Sequence, residues 1–444
     1  MHDLLFPADP GTRALARELY QQVRHLPLIS PHGHVDPAIL AEDRPFGDPA
    51  RLLIVPDHYL TRMLLSQGVP PERLGVPRRD GGPVEEDPRE IWRTFAAHWH
   101  LFRGTPSRLW LEQTFREVFG TDTPLGPDTA DQLYDELAAK LAEPEFRPRA
   151  LFTRFNLEVL ATTESPLDDL SAHAKLAADG WGGPGGRVIT TFRPDNLVDL
   201  DWEGWPERVE RFGATSFADF LERLRASRQH FIAHGATSSD HGHPTARIAP
   251  VDDAEAIFER ARRGPVSPAE AEAFRGHMLW EFAHMSLEDG LVMQLHPGAV
   301  RNHNRALYER HGRDVGGDVP QATEYTWALK PLLDELGHDP RLRIVLYTLD
   351  EHTFSRELAP LAGGYPSLYI GAPWWFLDAP EALRRWREAV TETAGFYNTA
   401  GFVDDTRAYR SIPVRHDVAR RVDAAFLVRL VPDHRLSLAG AAEN

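Results

Sequence analysis

Leu26-Pro27-Leu28-Ile29-Ser30-Pro31-His32-Gly33-His34-Val35-Asp36 is an apolar run that ends in two histidines one residue apart. In extended chain, residues i and i+2 share a side, so His32 and His34 can present two imidazoles to one ion, with Gly33 keeping the space between them clear. The spacing alone is weak evidence. A chain with 21 histidines produces a His-x-His by chance, and two solvated histidines would be the plainer reading. The position, directly behind a strand of buried type, favours a metal.

Residues 11–24 carry apolar side chains at helical spacing and lead into that strand. Residues 38–156 then show helical patterning, several Pro breaks and no convincing strand. Such a stretch is too long for a loop and reads as a helical insertion. The expected organisation is therefore an N-terminal helix and first strand over 1–37, the insertion over 38–156, and the rest of the fold over 157–444. From residue 157 short β-branched runs alternate with helical stretches: 157–163, 187–192, 230–234 (leading to Ser239-Asp240-His241-Gly242), 291–296, 342–347, 367–371 and 400–404. With the first strand they make eight, which predicts a (β/α)₈ barrel whose active site lies at the carboxyl ends of its strands. An open doubly wound sheet lacks support, because no Gly-x-Gly-x-x-Gly turn is present. Gly182-Gly183-Pro184-Gly185-Gly186 reads as a flexible turn between helix and strand.

Composition narrows the chemistry. With no cysteine, disulfides, thiolate ligands and cysteine nucleophiles are all excluded, and any metal must be held by His, Asp or Glu. A formal charge of −17 argues against nucleic acid and anionic membrane partners, which need basic patches. No run approaches the roughly 18 apolar residues of a membrane span, and the first residues lack the features of a signal peptide, so a cytoplasmic location is expected. The only lysines are Lys140, Lys175 and Lys330, all in helical contexts, which disfavours a Schiff base or a carbamylated lysine at the barrel mouth.

The barrel mouth would collect His32, His34, Arg193, Asp240, His296, Asp405 and Arg407. Two histidines and a carboxylate suit one divalent ion such as Zn²⁺ with positions left open, and open positions mean catalysis. Asp405 alone would more often cap a helix or be a surface acid, and for His296 a buried histidine hydrogen-bonded to backbone is the fair alternative. At strand ends facing a His-x-His, both read as functional. Arg193 and Arg407 would supply fork-shaped recognition of a carboxylate in a protein that otherwise repels anions. Trp374 and Trp375 would face opposite ways if they stood in one strand, so that only one would cover a substrate. Asp57-His58-Tyr59 by itself reads as a helix start with a packed tyrosine.

In combination these motifs resemble one known family. Ser30-Pro-His-Gly-His34, Pro56-Asp-His-Tyr59 with Arg62, Ala161-Thr-Thr-Glu-Ser-Pro166, Phe192-Arg-Pro-Asp195 and Ser239-Asp-His-Gly242 follow in order. Val292-Met-Gln-Leu-His296 with Arg301-Asn302, Trp374-Trp-Phe376, and Asp405-Thr-Arg407 with Arg415-His416 continue the series. Together they resemble the uronate isomerases, the isomerising branch of the amidohydrolase superfamily. The resemblance implies a barrel that interconverts D-glucuronate with D-fructuronate and D-galacturonate with D-tagaturonate. It also implies metal ligation by His32, His34 and Asp405, acid/base work by Tyr59 beside His58, substrate binding by Arg193 and Arg407, and Asp240, His296 and Trp374 lining the site. Two departures stand out: the family usually runs to a longer aromatic end than Leu436 to Asn444 provides, and Pro297 and Pro373 stand where other residues are expected.

An aldose–ketose shift through a cis-enediol needs a base at C2, and Tyr59 and Asp405 both qualify. With an ordinary pKa of about 10, Tyr59 would need a nearby cation to act as that base. A metal-dependent hydrolase and a non-catalytic sugar-acid binder are the rivals. A binder has no need of a chelating His-x-His, and a hydrolase has no evident use for two carboxylate clamps. Whether the chain forms a homo-oligomer is not written in the sequence.

Overall fold

The computed structural model describes residues 3–181 and 186–443. All but the last residue of the expected Gly-rich turn at 182–186 lies outside them. Strands β1 (Leu28–Ser30), β2 (Leu157–Ala161) and β3 (Arg187–Ile189) pair in parallel in that order. They are followed by β4 (Ser238–His241), β5 (Val292–Leu295), a short antiparallel ribbon of β6 (Ala299–Val300) and β7 (Val319–Pro320), then β8 (Ile344–Leu346) and β9 (Leu368–Ile370). Strands β4, β5, β8 and β9 form a second parallel set. Single pairings join the two sets into a ring. Phe192 bridges Ser239 on one side; on the other, Ile370 bridges Thr399 and the His34 N–H donates to the Thr406 carbonyl at 3.0 Å. Residues 399–406 thus fill the eighth stave, and the sheet closes as a (β/α)₈ barrel.

Two of the expected strands differ in detail. His230–His234 is not a strand: it belongs to, or directly follows, the helix Phe217–Ala233, and the fourth stave is Ser238–His241. Phe217, Phe220, Leu224, Arg228 and Phe231 recur at helical spacing and are the buried face of that helix, so the apolar pair Phe231-Ile232 follows a period of 3.6 rather than 2. The eighth run, 400–404, is held only by isolated pairings, and Gly401 there has a φ of 76° that interrupts any regular strand.

Between β1 and β2 the described residues form helices only, from Ala38–Glu42 to Pro148–Arg154. Their apolar faces, with Trp92, Phe95, Trp99, Phe102 and Phe115, bury against one another and against Leu28, Leu157 and Val188 of the first three strands. The second parallel set is covered by the helices Phe217–Ala233, Pro268–Asp289 and Pro380–Ala394. The three lysines sit in helices, as their contexts predict. No described helix is long and apolar enough to cross a membrane.

The alternation of side chains along β4 and β5 delivers the site. Gln294 Nε2 donates to Ser238 Oγ at 2.9 Å, and two residues further on, His296 Nδ1 meets Asp240 Oδ1 at 2.7 Å. One rung is therefore structural polar packing, and the next lies at the mouth.

Behind β4, the fully buried Arg228 ties two helices together: its Nε and Nη2 reach Asp289 at 2.6 and 2.8 Å, and Nη2 also donates to Ser286 Oγ at 3.0 Å. Arg228→Ala leaves Asp289 buried without its counter-ion, which costs about 3–5 kcal/mol. The urea midpoint followed by circular dichroism is expected to fall accordingly. An unchanged midpoint would mean that the pair contributes nothing to stability.

Candidate active site

His32 and His34 leave the end of β1 and meet Asp405 from the eighth stave. Their Nε2 atoms stand 3.4 and 3.0 Å from Asp405 Oδ1, which is buried and has no aligned hydrogen-bond donor. Asp405 is held at a φ of 41°, a left-handed conformation that aspartate tolerates better than bulkier residues do. Three potential ligand atoms, one each from His32, His34 and Asp405, lie within 4.8 Å of one another. A second such group, His32 with Asp240 and His296, shares one histidine with the first. Buried imidazole nitrogens that converge on a carboxylate oxygen with no aligned hydrogen bond suit a metal ion.

Asp240 sits at the hub of the remaining contacts. Arg193 Nη1 approaches its Oδ2 at 2.9 Å, His296 takes its other oxygen, and His32 Nε2 is 3.9 Å away. Burial works against the Asp240 charge, yet Arg193 and the neighbouring histidines outweigh it and hold the carboxyl well below the usual range. Asp405 behaves likewise, with His32 and His34 overcoming its burial. Burial opposes protonation of His32, but Asp240 and Asp405 raise its pKa; at His34 and His296 burial prevails and lowers the pKa. A neutral His296 donates its Nδ1 proton to Asp240, which leaves a buried Nε2 without a partner among the described residues. Its ring stacks on His32 and Tyr347, with centroids 4.7 and 4.0 Å apart, and meets the edge of Trp374.

His32, His34, Arg193, His296, Trp374 and Asp405 line one cavity of about 660 Å³. His58 and Tyr59 enter it from the start of the helix His58–Leu65, which Asp57 caps by accepting the Tyr59 N–H at 2.9 Å. A helix start and a place in the site are thus both true of this motif. Burial lowers the His58 pKa to about 4 and raises that of Tyr59 well above its ordinary value, against the pull of Arg415. Tyr59 is therefore a neutral hydroxyl at neutral pH.

All ten residues singled out in the sequence border the cavity or touch a residue that does. The expectation for the tryptophans needs correction. They follow β9 rather than stand in it, Trp375 adopts a φ of 48°, and both rings border the cavity with centroids 5.7 Å apart. Arg193 also differs from a simple clamp, since Nε and Nη1 face Asp195 and Asp240 at 2.8 and 2.9 Å. Arg407 is half exposed and pairs with Asp314 at 3.0 Å, on the excursion between β6 and β7. Asp314, and Trp110 lying under Arg415 at 3.7 Å, are site residues that sequence reasoning missed. The Gly-rich Gly312-Arg-Asp-Val-Gly-Gly317 was the available signal for the first; Trp110 lies inside a helix and gave none.

The comparisons with known proteins agree with this geometry. A family model described as glucuronate isomerase matches residues 11–440. A uronate isomerase of Rhizorhabdus wittichii is 56% identical over 449 aligned positions, covering 99% of this chain and 94% of that protein. The crystal structure of glucuronate isomerase from Caulobacter crescentus superposes with a TM-score of 0.97 at 56% identity, covering 100% of this chain and 93% of the other. A uronate isomerase from Thermotoga maritima, 29% identical, still gives a TM-score of 0.91 over 100% of this chain and 96% of its own. The matched span includes every strand end that feeds the cavity, and the chain belongs to the glucuronate isomerase family.

Proposed function

We propose that this protein is an aldose–ketose isomerase that interconverts D-glucuronate with D-fructuronate and D-galacturonate with D-tagaturonate. The observation that carries the reading is the convergence of two imidazoles and a carboxylate on one point, beside a hydroxyl held neutral and a rim of arginines, in a single cavity. His32, His34 and Asp405 are the residues that would hold one divalent ion, with Zn²⁺ favoured by the nitrogen-rich donor set. When bound, such an ion supplies positive charge that steadies the oxygens of the reacting carbons.

The chain's own groups divide the proton traffic. The C2 proton leaves to a carboxylate, and Asp405, kept ionised by its histidines, is the base in this scheme. The electron pair forms the C1–C2 double bond of a cis-enediol as Tyr59 gives its proton to the C1 oxygen. The C2 oxygen then returns a proton to Tyr59, and C1 receives the proton carried by Asp405. No net proton is consumed. Tyr59 suits this shuttle because burial keeps it protonated, which assigns the two candidates for base to separate tasks.

Substrate charge is handled at the rim. Arg407 is paired with Asp314 in a half-exposed contact, where an ion pair is weak and exchangeable. A C6 carboxylate that replaces Asp314 there gains a two-pronged partner and fixes which carbons reach the catalytic groups. Arg193, already shared by two aspartates, orients Asp240 and contributes positive charge more than a free fork.

Zinc-loaded protein incubated with either uronate in D₂O is expected to yield ketose carrying solvent deuterium at C1, read by proton NMR. Absence of any ketose from both sugars would sink the isomerase reading. Tyr59→Phe is expected to lower kcat by about 10²–10⁴-fold with metal content unchanged. Wild-type turnover in that variant would remove Tyr59 from the proton path. Arg407→Met is expected to raise KM far more than it lowers kcat in steady-state assays; an effect confined to kcat would mean that this arginine does not hold the carboxylate.

A further inference from the structure

A second nitrogen-rich cluster lies beside the site, sharing Asp195 with the cavity wall, and plays no part in the chemistry above. Asp240 faces the barrel interior, so its neighbour His241 faces the helices, where its ring lies 5.0 Å from that of Phe282. Asp195, on the connection after β3, and His243, just past β4, join it there. All three are buried, at 4, 1 and 3% exposure for Asp195, His241 and His243. One potential ligand atom from each lies within 4.8 Å of the other two.

Each residue has one polar atom satisfied by a neighbour and one without a partner. Asp195 Oδ2 accepts from Arg193 Nε at 2.8 Å and from the Gly242 N–H at 3.1 Å, while Oδ1 accepts nothing. His243 Nδ1 lies 3.0 Å from Asp199 Oδ1 and donates to it, which leaves the lone pair on Nε2. His241 Nε2 lies 3.0 Å from Ser239 Oγ; when it donates there, Nδ1 is bare. His243 Nε2 and Asp195 Oδ1 are 4.0 Å apart. That is too long for a hydrogen bond, and longer than the roughly 3.4 Å between two donors about 2.0–2.2 Å from one tetrahedral ion by an amount that a small side-chain shift removes. Asp199 supplies what such a ligand needs, a carboxylate that fixes the imidazole tautomer from outside.

We propose that Asp195, His241 and His243 bind a second divalent ion of the Zn²⁺ class. Two imidazoles and one carboxylate select against Mg²⁺ and Ca²⁺, which prefer all-oxygen shells. The site is structural: neither histidine borders the cavity, and the site locks Asp195, which does, and whose other oxygen orients the guanidinium that grips Asp240. A side chain at 242 would invade this space, since a Cβ there would stand 2.3 Å from Arg193 Nη2 and 3.1 Å from Asp195 Oδ2. The proposal does not depend on which reaction the mouth performs.

The test is zinc content per chain by mass spectrometry, after chelation, reloading with Zn²⁺ and removal of free metal. His32→Ala disables both ligand groups at the mouth, because they share that residue. Two equivalents are expected for the wild type, one for His32→Ala, one for His243→Ala and none for the double variant. A wild type with one equivalent and a His32→Ala protein with none would overturn the second site, leaving His243 as a charged bridge between Asp195 and Asp199. Retention of zinc by the double variant would overturn it as well. Should His243→Ala fail to fold, His241→Gln in the His32→Ala background decides in the same way, by loss or retention of the remaining equivalent.

Discussion

The hydrogen bond from the His34 N–H to the Thr406 carbonyl does two jobs. It closes the barrel between its last stave and its first, and it brings Asp405 against the two histidines of β1. Neither job could be done separately. A carboxylate placed by a flexible loop would drift from imidazoles fixed by a strand, whereas here both sides are pinned by one backbone pairing. The left-handed φ of Asp405 follows from the same constraint: the chain must turn its carboxyl inward at the residue before the pairing carbonyl. A Cβ at Gly33 would stand 3.5–3.6 Å from Ala161, Asp404 and Thr406, in ordinary contact, so the staves meet at this point without crowding.

An acidic protein that binds an anion has to concentrate positive charge locally. It does so by placing most of the cavity's arginines beside aspartates: Arg193 with Asp195 and Asp240, Arg301 with Asp318, Arg407 with Asp314, Arg415 with Asp378. The pairs differ in burial. Those deep in the site are locked, because separating them would strand a charge away from water. Those at the rim exchange partners at little cost. The gradient from locked to exchangeable pairs lets the same residue types serve as scaffold in one place and as substrate clamp in another.

Much of this was legible in the sequence because barrel chemistry sits at strand ends, where a short apolar run followed by a polar residue is a local pattern. His32, His34, Arg193, His296 and Asp405 carry that signature, whereas Asp240 stands in the polar stave Ser238-Ser-Asp-His241 and does not. What failed were features set by tertiary context. His230–His234 looked like a strand because two apolar residues sit between histidines, and only the buried face of the whole helix shows their true period. The placement of Trp374 and Trp375 depends on a left-handed turn that no local residue type demands. The Arg407–Asp314 pair could not be read either, since the two residues are 93 positions apart and many acids compete for Arg407 across the chain.

The two faces of β4 show how far one strand can carry unlike tasks. Asp240 projects into the barrel and joins the reacting groups, while Ser239 and His241 project outward into the helical layer. A one-residue slip of β4 against β5 would exchange these faces, putting a serine and a histidine where Asp240 now meets His296. The register is held by the Gln294–Ser238 rung below and by the Phe192–Ser239 bridge beside it. Arg193 crosses between the faces, with Nε on Asp195 behind and Nη1 on Asp240 in front. Any shift of the outer cluster therefore moves a charge that the inner carboxylate depends on. The precision of the site is set by the layer behind it as much as by the groups that meet the substrate.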